Sequence, residues 1–368
     1  MSNDQNSFNS AFSLINVMDH LNPEEKQDLQ KNCEYAIRQF GENWLDREDS
    51  KRHPLYGFVG NSIGVSELGE LGSAIQLLQS QENFPEIMER LQSPNQFYGA
   101  YSEVLVGYWL KKSSINFDYL KQKTKTTPDI RIKSAQRDFT IEITTKDYSE
   151  DYLKAYQIYT KFSSALLFNK KGLNVFAINH RPLTSTHHAN EILRKCEDLI
   201  ENADISGFEE LHLKKIIDVY VFRPENIERV PKKFRSFSFR MPKTDEYARV
   251  RGTITDKARQ LNQDAPGILL IFDQHFWPSR RIGHFASKLR HELEEKIFEH
   301  PNLSALVLIT QFGDTSLDKQ EVIRENDSLI AMRTYSPKSI VSKYKVLIFN
   351  KFATYPLNDE EIEILKKI

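Results

Sequence analysis

Apolar positions are spaced like a helix over the first ninety-odd residues, and like alternating strands and helices from there to the end. Residues 22–46 open with Asn22-Pro23, an N-cap followed by a proline tolerated in a first helical turn, and predict a helix. The glycine-containing stretch 57–72 predicts an interruption before a second helical run from about Ser73. From Ser93 the pattern changes. Pro94 introduces FYGAYSEVLVGYWL, residues 97–110, an apolar run of helical length. Extended segments follow near 115–120, 129–133 and 138–145, and the last two alternate apolar with polar residues, the period of a strand. A helix over 149–168 and a strand over 173–179 complete what reads as one α/β unit.

The same style continues. Residues 216–222, 267–273 and 304–310 predict buried strands, and a helix at about 284–299 between the last two predicts a strand–helix–strand crossover. Residues 328–335 and 344–350 predict a hairpin or a sheet edge. The fold class is therefore α/β, a central mixed sheet flanked by helices. The expected organisation is a helical N-terminal module at 1–92 and an α/β domain at 93–368, with its core at 95–180 and an elaboration at 181–368.

Three carboxylates stand out within that core. Asp129 follows Pro128 at the start of a strand, with Ile130 and Ile132 on one side and Asp129, Arg131 and Lys133 on the other. In FTIEITT, Phe139, Ile141 and Ile143 share one face and Thr140, Glu142 and Thr144 the opposite one. If the two strands are neighbours, Asp129 and Glu142 converge at one edge of the sheet. Mg2+ favours such a site, since one or two carboxylates with water and phosphate oxygens satisfy it. Glu103 is the only charged residue between Phe97 and Leu110, and a carboxylate buried there needs compensation, which a metal or its water would give. Plainer readings stand beside these: Asp129 as a turn residue after proline, Glu142 on a solvated strand face, Glu103 reaching solvent at a helix boundary.

Asp129 in TPDI, twelve intervening residues and an apolar-flanked Glu142 resemble the PD-(D/E)xK nuclease superfamily of restriction-endonuclease-like enzymes. The resemblance covers residues 95–180. It implies a restriction-endonuclease-like core that cuts phosphodiesters with Mg2+ or Mn2+, more readily DNA than RNA, in a setting such as restriction or antiphage defence. It also implies that Asp129 and Glu142 hold the metal and that Glu103, on the preceding helix, completes its shell. One position departs from the pattern. The family carries lysine two residues after the glutamate, and here that residue is Thr144. Lys146 keeps the strand parity of Glu142 and is the candidate for a relocated lysine, with an ordinary exposed strand end as its plain alternative. Loss of that lysine equally fits a fold that binds nucleic acid, or scaffolds a complex, without cutting it.

Residues 223–251 carry nine basic residues against four acidic ones, and RSFSFR at 235–240 sets aromatics between Arg235 and Arg240. Arg235 and Arg240 are candidates for phosphate contact, or else the charged ends of an ordinary edge strand with Phe237 and Phe239 turned inward. TDKARQL, 255–261, reads as a helix start capped by Thr255, and Lys257 and Gln260 there either face the site or lie on a solvated face. His187-His188 lacks zinc spacing and reads as a loop or helix-start pair. Fifty basic and 51 acidic side chains leave a formal net charge of −1, which excludes a general nucleic-acid coat but not a local basic surface. Two cysteines, an amino terminus without a signal-like pattern and no bilayer-length apolar run give the expectation of a cytoplasmic protein with no membrane partner. A homodimer or a partner subunit is compatible with the resemblance, but no residue marks a face for it.

Overall fold

Asn22 caps helix α1 (Pro23–Arg38) reciprocally: its Oδ1 accepts the Glu25 N–H at 3.0 Å, and Glu25 Oε2 accepts the Asn22 N–H at 2.7 Å. The helix stops well before residue 46, where Gly41 takes a φ of +116°, a conformation glycine adopts without strain. The expected break at 57–72 is a correction. Ser62–Leu78 is one helix, α2. Its glycines serve close approach, since a Cβ on Gly72 would stand 1.9 Å from the Asn32 carbonyl oxygen of α1. Helices α3 (Phe84–Leu91) and α4 (Phe97–Lys112) follow, and α4 is shielded on almost every side, Glu103 included.

The computed structural model describes residues 13–41, 44, 53–60, 62–121, 127–146, 150–167, 169, 171–242, 246–261, 264–273, 291–310, 319–335 and 342–368. Strands β1 (Phe117–Tyr119), β2 (Ile130–Ile132) and β3 (Phe139–Lys146) pair antiparallel, with Ile130 opposite Ile141. The chain then leaves this sheet. Tyr148–Asp245 form a second compact unit, while Met1–Asp147 and Glu246–Ile368 together form the first. The helix and strand expected to complete the core at 149–179 belong to that second unit. There, α5 (Glu150–Leu167), β4 (Asn174–Asn179), α6 (Thr186–Ser206), β5 (Phe208–Leu213), β6 (Ile217–Phe222) and β7 (Phe237–Ser238) build a sheet of order β5-β6-β4-β7. Strand β4 has β6 on one edge and β7 on the other, so its hydrogen-bonding edges are used within the unit. His187 and His188 lie in the first turn of α6 behind the cap residue Ser185.

Helix α7 (Glu246–Ala258) brings the chain back to the first unit. It already contains Thr255, whose hydroxyl bonds the Arg251 carbonyl at 3.1 Å, so the expected helix start at Thr255 is instead a last turn. The strands β8 (Gly267–Asp273), β9 (Leu303–Thr310), β10 (Lys319–Asn326), β11 (Leu329–Tyr335) and β12 (Ser342–Phe349) then extend the first sheet to the order β1-β2-β3-β8-β9-β12-β11-β10. Strands β3, β8 and β9 run parallel and the rest pair antiparallel. β8 and β9 pair parallel as expected, and residues 291–298 of the helix expected at about 284–299 are helical, whereas 284–290 lie outside the described residues. β11 and β12 pair as neighbours.

Apolar cores cover both faces of this mixed sheet. Phe139, Ile141, Ile143, Ile268 and Leu270 share one with Leu68 of α2 and Val104 of α4. Leu269, Ile271, Leu306 and Leu308 share the other with Val250 and Ile254 of α7 and with Leu293 and Ile297. Helix α8 (Asp359–Lys367) closes the chain, and Lys345 Nζ donates to the Leu365 and Lys366 carbonyls at 3.0 and 2.6 Å. No helix among the described residues is long and apolar enough to cross a membrane.

Candidate active site

Strand β2 is short, and that shortness creates the site. Its first pair with β3 joins Ile130 to Ile141, and Asp129, one residue earlier, bonds β3 through its side chain as well as its backbone. Asp129 N–H donates to the Ile141 carbonyl at 3.1 Å, and Asp129 Oδ2 accepts the Ile143 N–H at 2.7 Å, where a continuing strand would have supplied a carbonyl. The carboxyl is thereby fixed beside β3. Glu142 follows the predicted alternation, being opposite in register to Leu269 and so on the α7 side of the sheet. The Asp129 and Glu142 carboxyls interact side chain to side chain. Both are buried, at 7% and 2% exposure, which sets aside the solvated-face reading of Glu142, while Asp129 lies in a bend just before β2.

Helix α7 supplies the cation. Lys257 Nζ donates to Glu142 Oε1 at 2.7 Å and to Gln260 Oε1 at 2.9 Å, while Glu142 Oε2 is buried with no hydrogen-bond partner. The cation on Glu142 thus comes from 115 residues further along the chain. Lys146 is buried at the far end of β3, in register with Asp273, and is not part of the cleft lining. Thr144 and Thr145 do line it, and Thr145 Oγ1 donates to the Tyr98 carbonyl at 3.0 Å.

Glu103 has a partner the sequence reading missed. Arg90 of α3 grips it in a two-pronged pair at 2.6 and 2.5 Å, so the compensation expected from a metal comes from a guanidinium. The helical opening stretch, left without a role by sequence, delivers that arginine. Tyr119 further holds the helix, its hydroxyl donating to the Glu103 carbonyl at 3.2 Å. Arg90, Asn95, Gln96, Tyr98, Glu103, Asp129, Glu142, Lys257 and Gln260 face a cleft of about 460 Å³.

Burial dominates the electrostatics. It raises Asp129 well above the usual carboxylate range, with Glu103 and Glu142 adding repulsion and the Ile143 N–H and Lys257 opposing it. Glu142 is pushed up to about 7 by burial, against the pull of Lys257. Burial also raises Glu103, opposed by Arg90. These are carboxyls short of positive charge. Among the described residues, no group of three or more His, Cys, Asp or Glu side chains stands in position to hold a metal ion. With both Glu103 oxygens on Arg90, the pair left to serve one is Asp129 and Glu142.

Arg235 and Arg240 belong to the second unit. Arg235 pairs with Glu228 at 3.0 Å and bonds the Val230 carbonyl, while Arg240 is exposed. Phe237 and Phe239 pack against that unit's core, which matches the edge-strand alternative for RSFSFR.

A signal for Lys257 was present in the sequence. It falls on the stripe Val250, Ile254, Leu261 that α7 and its following turn bury, seven residues after Val250. A lysine on a buried stripe needs an acid to meet it. No protein-family model, curated protein or solved structure matches this chain.

Proposed function

We propose that this chain is a metal-dependent endonuclease that hydrolyses phosphodiester bonds, in DNA, on a restriction-endonuclease-like core formed by α4, β1–β3 and β8. One observation carries the reading. Two buried carboxyls from adjacent segments, Asp129 and Glu142, meet in a polar cleft with a lysine on one of them. Mg2+ or Mn2+ fits this donor pair, because one or two carboxylates suffice alongside water and phosphate oxygens. The partnerless Glu142 Oε2 and the raised Asp129 and Glu142 are what a divalent cation would relieve. When bound, such an ion supplies Lewis-acid polarisation of a phosphoryl oxygen and a more acidic water.

The chain's own residues do the remaining work. Asp129 and Glu142 are the metal ligands, and the Ile143 N–H keeps Asp129 oriented toward the cleft. Lys257, steadied by Gln260, takes the part the family resemblance assigns to lysine: it orients the attacking water and offsets charge that builds on the phosphate. Arg90 and Lys257 offset two of the carboxylates, so that a bound divalent ion would leave the cleft positive enough to draw a phosphodiester in. Lys146 has no part in this scheme.

A second reading is a nuclease-like fold that binds nucleic acid without cutting it. Its support is that Glu103 and Glu142 each already hold a protein cation. Nicking of supercoiled plasmid with Mg2+ or Mn2+ separates the two. The endonuclease reading expects Asp129→Ala and Glu142→Ala to abolish nicking and Lys257→Met to slow it by about 10²-fold or more. Equal cleavage by wild type and all three variants removes the reading. Salt-sensitive binding without cleavage, unchanged in Asp129→Ala, establishes the second one.

A further inference from the structure

We propose that Arg90 holds the place a second metal ion would take, so that the cleft works with a single divalent cation on Asp129 and Glu142. The inference rests on the endonuclease reading and narrows it.

Glu103 is the third acid of the cleft, and its carboxyl is only 6% exposed. Both of its oxygens accept from Arg90, one at 2.6 Å and the other at 2.5 Å. A guanidinium fork takes the same pair of lone pairs that a bidentate metal ion would use. An ion at Glu103 would therefore have to displace a buried, charge-assisted pair. Arg90 also interacts electrostatically with Asp129, so its charge reaches across the cleft rather than serving Glu103 alone.

Charge balance points the same way. Among the described residues, with all three acids ionised, Glu103, Asp129 and Glu142 face the two cations Arg90 and Lys257, which leaves one surplus negative charge. One divalent ion turns that into one surplus positive charge, which a single phosphodiester cancels. Two ions would leave the cleft strongly positive with substrate in place. Arg90 then does by fixed charge what a second ion does in two-metal sites, which is to neutralise the third acid and face the phosphate.

Mn2+ titration of the full chain, followed by electron paramagnetic resonance and calorimetry, tests this without any cleavage assay. Wild type is expected to bind one Mn2+ per chain, and Glu103→Gln also one but more weakly, because the variant removes no ligand yet leaves the Arg90 charge unpaired beside the ion. Arg90→Met is expected to bind two, since it frees a buried carboxylate, and to gain more thermal stability from Mn2+ than wild type does. The double variant Arg90→Met/Glu103→Gln returns to one. Two ions on wild type, loss of the ion in Glu103→Gln, or a single ion on folded Arg90→Met would each overturn the inference. Should Arg90→Met fail to fold, the Glu103→Gln titration decides by itself. Asp129→Asn keeps the two proposals distinct: two wild-type ions that it releases sink only the single-ion site, whereas a wild-type ion that it leaves bound sinks the metal reading as well.

Discussion

Glu142 concentrates the chemistry of the site in one side chain. It shares a salt bridge with Lys257, interacts with Asp129, and has one oxygen buried without a hydrogen bond. Its pKa is about 7 in the folded chain, above the ordinary 4.5, because burial disfavours the charged form. The folded state therefore binds this proton more tightly than the unfolded state does. The associated stability is fully present below about pH 4.5 and is lost as pH rises through about 7. Asp129 and Glu103 are shifted in the same direction and reinforce the trend. Metal-free protein is thus expected to melt lower at about pH 8 than at about pH 5. Glu142→Gln should flatten that dependence. Mn2+ should restore stability at the higher pH, where the ligands are ionised. Thermal melts at the two pH values check it. A wild type that gains stability on going to pH 8 without metal would mean the carboxyls are not held in their raised state.

At the scale of elements, two packing choices build the cleft. The first is the close approach of α2 to α1 at Gly72, and α2 in turn packs on α4, which also carries α3. A Cβ there meets backbone rather than a flexible side chain, so neither helix yields cheaply. Gly72→Ala is expected to destabilise the chain by about 1–3 kcal/mol, read as a lower urea midpoint with the slope unchanged. A wild-type midpoint would show that α1 can shift without cost. The second choice is the packing of α7 across the face that bears Leu269 and Ile271, which puts Lys257 over Glu142. The same helix thus contributes both to the core and to the site.

Over the whole molecule, the division into units follows the hydrogen-bonding edges of the sheets. The second unit, Tyr148–Asp245, has its own four-stranded sheet and its own apolar core around Phe162, Cys196 and Val219. Asp218 ties it further, accepting from His180 at 2.6 Å and from His212 at 2.8 Å. A fragment of residues 148–245 is expected to fold alone and unfold cooperatively, as followed by circular dichroism. A fragment without a cooperative transition would show that its core needs the rest of the chain. The cleft residues all belong to the first unit, so the candidate chemistry and the basic stretch around Arg235 and Arg240 sit on separate units.

Sequence alone determined what depends on near neighbours. The alternation through Phe139, Ile141 and Ile143 fixed the side of β3 on which Glu142 lies, and Pro128-Asp129 marked the acid that leads into β2. It also fixed the mixed α/β class and the parallel pairing of β8 with β9. Only tertiary structure decided which strand lies beside β3, that residues 148–245 leave the sheet before β8 completes it, and that Lys257 and Arg90, rather than Lys146, meet the acids. Periodicity is a property of residues a few positions apart. A salt bridge spanning 115 residues depends on which faces of helix and sheet bury each other, and many chain paths are consistent with the same local pattern.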